Sequence, residues 1–282
     1  MASARASSNA LRPPRAYHAW VPATPAFVER REPRGIAWVR PDLASVPLDA
    51  FWAEPEPLAD AKGRGGIGRL FVAGVDCVAR PYRRGGALAA LLRDRYASPR
   101  RARNELLALH ALRREGVPVV APIAAVGRRH GAFWRLRLLT ERVDGALPLP
   151  TFLAAYPAHR RMATTGVGTV LRLAFAAGLR HPDLHPDNVL CALRGERLRI
   201  ALVDLDRAVV RTPLPPRARA AMLARWQRYW SKHRAASSAL PSRSETMRGL
   251  AALVPDRAER HALWRKLARV AARGLGRKAG RR

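Results

Sequence analysis

His181-Pro182-Asp183-Leu184-His185-Pro186-Asp187-Asn188, followed at a short interval by Leu202-Val203-Asp204-Leu205-Asp206, is the stretch that decides how this chain is read. Between the two lie Val189-Leu190-Cys191-Ala192, the polar Arg194-Gly195-Glu196-Arg197, and Leu198-Arg199-Ile200-Ala201-Leu202-Val203, which read as strand, turn and strand. A hairpin there carries Asn188, at its entry, and Asp204, at its exit, toward the same place. An Asp that closes a strand is often no more than a turn former. An Asp, an Asn and a second Asp in this order are more specific: one carboxylate to accept a proton and two oxygen ligands for a hard cation.

The pattern H-x-D-L-x-x-x-N, then an Asp at the end of an apolar run, has the spacing of the catalytic loop and metal-binding Asp of the protein-kinase fold. Phosphoryl transfer asks little covalent chemistry of a protein, only a carboxylate to take the hydroxyl proton and ligands that hold metal across the nucleotide phosphates. In this reading Asp183 is the base, and Asn188 and Asp204 hold Mg2+ beside ATP.

The composition sets the frame. A chain of 282 residues with 48% hydrophobic content is long enough for a two-lobed unit with its own core. Cys77 and Cys191 both sit in apolar strand-like runs and read as buried free thiols, as in a reducing cytosol. No run approaches bilayer-spanning length, and Met1-Ala2-Ser3-Ala4-Arg5 lacks the apolar core of a secretory signal, so the protein is expected to stay inside the cell. The formal charge of +31 is carried almost wholly by Arg, with lysines only at Lys62, Lys232, Lys266 and Lys278. Coding bias exchanges Arg for Lys but does not create the imbalance against Asp and Glu, so an anionic partner is expected.

In chain order, residues 1–45 read as a loosely ordered extension that becomes strand-like around Gly35-Ile36-Ala37-Trp38-Val39-Arg40. Residues 46–140 read as a small sheet lobe, 141–235 as a mainly helical lobe, and 236–282 as a basic linker and amphipathic helix. Gly63, Gly65, Gly66 and Gly68 precede two strand-like runs, Arg69-Leu70-Phe71-Val72 and Val75 to Arg80, with no helix after them. That context suits a loop folded over ATP phosphates and not a dinucleotide fold. Arg80 stands where a kinase strand ends in a phosphate-holding Lys, and its planar fork differs from the ammonium point charge. Ser98 as cap, Pro99 in the first turn, the stripe Ala102, Leu106, Leu109 and Leu112, and Gly116 as stop define a helix, in which Glu105 is the partner expected for Arg80.

Further strands are expected at Val117–Pro122 and Phe133–Leu139. The hinge between lobes is expected at Thr140-Glu141-Arg142-Val143-Asp144-Gly145, the backbone at Glu141 meeting adenine. Pro157–Gly178 reads as a helix burying Val167, Val170, Leu171 and Ala174, and Trp226 with Trp230 as core packing on a later helix. Ser237–Pro255 reads as a linker before a capping box, Asp256 with Glu259, and a basic final helix that suits either an anionic membrane face or the core.

Gly63-Arg64-Gly65, Arg80-Pro81-Tyr82-Arg83-Arg84-Gly85-Gly86, Asp94-Arg95-Tyr96, Glu105 with Gly116-Val117-Pro118-Val119, and Asp183 to Asn188 together resemble the 3-deoxy-D-manno-octulosonic acid (Kdo) kinases of the lipopolysaccharide kinase group, over roughly residues 60–235. The resemblance implies an α+β, protein-kinase-like two-lobed fold with an antiparallel-sheet N-lobe, one helix in it, and a reduced helical C-lobe. It implies ATP-dependent phosphorylation of the Kdo sugar, at its 4-hydroxyl, on a lipid A precursor or similar anionic glycolipid. It also implies work at the cytoplasmic face of the inner membrane, peripherally on an anionic surface, and that Arg at position 80 is tolerated.

Pro182 in place of the loop Arg, Leu205-Asp206 in place of Phe-Gly, and the lack of A-P-E argue against a protein kinase. Two other readings stand beside the first: a kinase-fold phosphotransferase for another small hydroxyl acceptor, such as an aminoglycoside, or a non-catalytic basic protein binding membrane or nucleic acid. The chain offers charge but no groove-reading motif, so no specific nucleic acid is expected.

Overall fold

Along Ile36-Ala37-Trp38-Val39 successive side chains enter opposite layers: Ile36 and Trp38 join one apolar cluster, Ala37 and Val39 another. That period of two marks a strand covered on both faces. The computed structural model describes residues 26–58, 66–83, 94–233 and 240–279, with side chains through residue 269. Strands β1 (Val28–Glu32), β2 (Gly35–Val39), β3 (Glu56–Pro57), β4 (Gly68–Val72), β5 (Val75–Pro81), β6 (Pro122–His130) and β7 (Phe133–Glu141) form one antiparallel sheet, ordered β1-β2-β6-β7-β5-β4-β3.

One face of this sheet is closed by Leu43, Leu48 and Phe51 from two short 3-10 turns, packed on Val72, Cys77, Ile123 and Leu139. Arg137 lies buried among them and donates to the carbonyls of Phe51 at 3.0 Å and Ala53 at 2.8 Å, which satisfies the end of the second turn. The other face carries helix α1 (Arg100–Arg114), whose Ala102, Leu106, Leu109 and Leu112 are buried at helical spacing.

The stop of α1 follows from its sequence. Gly116 adopts φ +72°, which only glycine takes without a Cβ penalty, and its N–H bonds to Arg113 O at 3.0 Å while Val117 N–H bonds to Leu112 O at 3.0 Å. These two bonds make a Schellman cap, with Leu112 and Val117 both buried as its apolar contact. At the start, Pro99 occupies the N-cap position and not the first turn, and Ser98 Oγ accepts from Arg100 N–H at 3.2 Å.

The second lobe comprises β8 (Leu147–Pro148), α2 (Leu149–Ala155), α3 (Arg160–Ala176), β9 (Leu179–Arg180), β10 (Val189–Arg194), β11 (Arg197–Leu202), β12 (Val209–Val210), α4 (Pro216–Lys232), α5 (Arg243–Leu253) and α6 (Arg257–Ala279). The expected hairpin forms as β10–β11 about a turn at Gly195 and Glu196, with Val189 opposite Leu202 and Arg194 opposite Arg197. It is bonded to the chain leaving α1, through Leu202 N–H to Pro118 O at 2.9 Å and Val120 N–H to Leu202 O at 3.2 Å. Val167, Val170, Leu171 and Ala174 of α3 are buried as expected, and so is Trp230 of α4, with Trp226 half-buried against the same core.

Three expectations are corrected. The extension expected over 1–45 turns to strand at Gly35–Val39 as expected, but β1 precedes it and the two form an edge hairpin of the main sheet, while residues 1–25 lie outside the described part. The strand expected at Val117–Pro122 lies further on, as β6 at Pro122–His130; Val117–Ala121 crosses to the hairpin, with a single parallel bridge at Val119. The linker expected over Ser237–Pro255 contains helix α5, whose N-terminus has a full capping box: Ser242 Oγ accepts from Glu245 N–H at 3.2 Å and Glu245 Oε2 accepts from Ser242 N–H at 2.7 Å. The box expected at Asp256 keeps one of its bonds, Glu259 N–H to Asp256 Oδ1 at 2.6 Å, and the Glu259 side chain pairs with Arg219. Leu263 and Leu267 of α6 are buried, so the described part of that helix packs on the core.

Candidate active site

Between the sheet and the helical lobe lies a cleft of about 660 Å³, lined by Ile67, Val78, Arg80, Glu105, Leu138, Glu141, Val143, Leu190, Asn188 and Asp204 among others. Each polar member arrives on a different element: Arg80 near the end of β5, Glu105 from the buried face of α1, Asn188 just before β10, Asp204 just after β11. The hairpin therefore brings Asn188 and Asp204 to one cavity, and the sheet brings Arg80 to face them.

Arg80 and Glu105 pair as expected. Arg80 Nη2 donates to both Glu105 oxygens at 2.6 Å, Arg80 Nη1 stands 3.2 Å from Asp204 Oδ1, and the Tyr82 hydroxyl donates to Glu105 as well. Glu105 is 2% exposed. Burial raises it above the usual carboxylate range, and Arg80 and Tyr82 oppose that rise. Burial likewise weakens the Arg80 guanidinium, but the charges of Glu105 and Asp204 outweigh it and hold Arg80 firmly protonated. Three N–H and O–H contacts onto one carboxylate describe an ionised pair. Asp204 adopts φ 56°, a left-handed conformation that Asp tolerates better than most residues. Leu205 beside it is fully buried, and Asp206 forms a two-pronged pair with Arg101 of α1. Burial pushes Asp206 up, and Arg101 reverses this and leaves it below the usual range.

Asp183 is not in the cleft lining. Its side chain is 62% exposed, with Arg225 Nη1 at 3.1 Å from Oδ1. Its backbone is held on both sides, since Asn188 Nδ2 donates to Asp183 O at 3.0 Å and Asp183 N–H donates to His181 Nδ1 at 3.2 Å. His181 is 1% exposed, and burial drives its pKa down to about 4 against the opposing charges of Asp204 and Asp183, so it acts at neutral pH as a neutral acceptor that shapes the loop.

Of the expected nucleotide-loop residues, Gly63 and Gly65 lie outside the described part. Gly66 has φ +98°, and Gly68 opens β4 so close to β3 that a Cβ would stand 2.4 Å from Glu56 O. Glu141 ends β7 at the cleft with its carboxylate paired to Arg199.

A family model described as "Lipopolysaccharide kinase (Kdo/WaaP) family" matches residues 49–253. The chain belongs to this lipopolysaccharide kinase family. It is 33% identical over 202 residues to a protein named 3-deoxy-D-manno-octulosonic acid kinase from Xanthomonas oryzae pv. oryzae (strain PXO99A), covering 68% of this chain and 79% of that one. It is 32% identical over 170 residues to a protein of the same name from Xylella fastidiosa (strain M23), covering 59% of this chain and 66% of the relative, a little under two thirds of its length. A solved structure described as "WaaP in complex with acyl carrier protein" aligns with a TM-score of 0.53 at 21% identity, covering 79% of this chain and 92% of that one. That likeness establishes the lipopolysaccharide-kinase fold, α+β with an antiparallel sheet lobe and a helical lobe.

Within this lipopolysaccharide-kinase fold, sequence reasoning did not assign Tyr82 its bond to Glu105, Arg101 its pairing with Asp206, or Arg225 its place at Asp183. A signal existed for the last: Arg225 and Tyr229 are four apart on the helix that packs Trp226 and Trp230 on the core, and Tyr229 donates to Asp187 at 2.7 Å.

Proposed function

We propose that this protein transfers the γ-phosphoryl group of ATP to the 4-hydroxyl of a Kdo sugar on a lipid A precursor. The observation that carries the reading is the convergence of Arg80, Glu105, Asn188 and Asp204 on one cleft, with the backbone of Asp183 tied to Asn188 at 3.0 Å. The names borne by the Xanthomonas and Xylella relatives support the acceptor.

The apolar walls formed by Ile67, Val78, Leu138 and Leu190 suit adenine, the chain at Glu141 to Val143 borders it with the Glu141 and Arg142 N–H groups already donated to Ala121 O and Asp76 O, and Arg80, held by Glu105, faces the phosphates. Asp183 accepts the proton of the attacking hydroxyl while the new bond to phosphorus forms and the bond to the ADP oxygen breaks. Its exposure suits a bulky acceptor arriving from solvent.

The donor set fits Mg2+. Asp204 supplies a carboxylate, and Asn188, whose Nδ2 is spent on Asp183 O, has its amide oxygen left for a cation. Among the described residues no cluster of three His, Cys, Asp or Glu could hold a metal by itself. A site completed by substrate phosphates is the usual arrangement for magnesium. When bound, the ion would neutralise charge on the phosphates.

Among the described residues no helix is long and apolar enough to cross a membrane. The excess of Arg supports a peripheral place on the anionic cytoplasmic face of the inner membrane.

The test is transfer of labelled phosphate from ATP to a Kdo-bearing lipid A precursor, with Asp183→Asn alongside. Loss of rate by roughly a hundredfold or more, with ATP binding retained, is the expected result for removing a general base. Transfer to another sugar but not to this one would redirect the acceptor assignment and leave the chemistry in place.

A further inference from the structure

One side of α4 runs along the loop that carries Asp183. Arg225, Tyr229 one turn on, and His233 at the helix's C-cap follow the spacing that stacks side chains on one helix face. Arg225 Nη1 donates to Asp183 Oδ1 at 3.1 Å, and Tyr229 Oη donates to Asp187 Oδ1 at 2.7 Å. The Tyr229 ring lies parallel to His185, centroids 5.6 Å apart, and stacks on His233 at 4.2 Å. The neighbouring stripe of the same helix, Trp226 and Trp230, faces the core. The Tyr229–His185 stack and the Tyr229–Asp187 bond therefore tie α4 to the loop and set the backbone of Arg225 beside the base.

Arg225 has no part in the nucleotide cleft, whose lining does not include it. Among the described residues its side chain is 45% exposed and touches one partner through one nitrogen, an exposed pair of the kind that is held weakly. The rest of the guanidinium fork is open to a carboxylate, which it would grip through two parallel bonds.

We propose that Arg225 binds the carboxylate of the acceptor, a sugar acid, and so places the reacting hydroxyl beside Asp183. The inference rests on the reading that the acceptor is a Kdo-type sugar acid. An incoming carboxylate displaces the weak contact to Asp183, which frees the base at the moment the acceptor is seated. Arg225 is thus a selector for acidic sugars.

The experiment compares transfer to the Kdo-bearing acceptor and to its carboxyl methyl ester, in the wild-type protein, in Arg225→Gln and Arg225→Lys, and in Arg228→Gln as control, Arg228 being an exposed arginine of the same helix, with thermal melting of each. Any effect of the substitution on Asp183 is common to both acceptors and cancels in their ratio. The wild type is expected to favour the acid over the ester in kcat/KM by roughly tenfold to a hundredfold. Arg225→Gln should bring that ratio near one through a higher acceptor KM at unchanged ATP KM, Arg225→Lys should keep part of it, and Arg228→Gln should keep all of it. An undiminished ratio in Arg225→Gln, or equal loss with acid and ester alongside a lower melting temperature, overturns the proposal while leaving the kinase reading intact. A wild type that treats acid and ester alike overturns it too. A wild type that phosphorylates neither overturns the acceptor assignment itself, and the inference falls with it.

Discussion

A carboxylate with almost no exposed surface is costly unless its neighbours donate to it, and Glu105 receives Arg80 on one side and Tyr82 on the other. The arrangement orients Arg80, because a guanidinium shared between Glu105 and Asp204 has little freedom left. Tyr82→Phe removes one hydrogen bond to a charged group and leaves the ring, so no cavity confuses the result. The expected cost is about 1.5–3 kcal/mol of stability. ATP KM should rise while acceptor KM holds if Arg80, the loosened residue, serves the nucleotide as proposed. Equilibrium unfolding and steady-state kinetics check both halves; an acceptor KM that rose in step would place Tyr82 outside this role. Arg80 and Glu105 were legible in the sequence because each sits at the expected place on its own element, a strand end and a helix interior. Tyr82 was not, because an aromatic two residues past Arg80 says nothing of which way the chain turns after β5.

Helix α5 shows how a short element escapes notice when its apolar face, Leu250 and Leu253, is brief and one of its contacts is made by backbone. Met247, Leu250 and Leu253 do stand at helical spacing, but the run is short and the Ser, Pro and Gly residues before and within it read as linker. Beside these side chains, the packing of α5 on α3 needs smallness at one point: a Cβ on Gly168 would stand 2.1 Å from Gly249 O and 2.9 Å from Gly249 C. Backbone cannot swing aside as a side chain does. Gly168→Ala should therefore destabilise the protein by about 1–3 kcal/mol, the overpacking cost exceeding the helix-propensity gain of about 1 kcal/mol. Gly166, on the same helix, is the internal control, since a Cβ there meets only the tip of Ile200, Cδ1 at 2.5 Å. That methyl can rotate away, so Gly166→Ala should be neutral or stabilising by up to about 1 kcal/mol. Melting curves of the two variants read the difference directly, and equal losses would mean that α3 and α5 do not cross as closely as the structure places them. By contrast, the β10–β11 hairpin and α1 were legible to within a residue or two, because their turn and cap glycines are local signals.

At the scale of the whole molecule the dominant quantity is charge. With 52 Lys and Arg against 21 Asp and Glu, pairing every acid would still leave 31 cations. Some arginines are spent internally: Arg80 and Arg101 on the site, Arg137 on carbonyls under the sheet, Arg160 on Glu245. The remainder make a field that no single acceptor needs, since one sugar acid presents only a few charges. An anionic surface presents many, and its attraction grows with the number engaged and fades as salt shortens the Debye length from about 10 Å at 0.1 M. Two acceptors separate the possibilities, one embedded in anionic vesicles and one made water-soluble by removal of its acyl chains. Transfer to the embedded acceptor should fall steeply between about 0.05 and about 0.5 M NaCl, with the fall residing in KM. Transfer to the soluble acceptor should decline far less, because the contact proposed for it at Arg225 acts at close range, where screening is weak. Parallel declines would mean that the excess charge serves the site itself. A steep fall for the embedded acceptor alone would assign it to holding the protein on the surface where that acceptor resides.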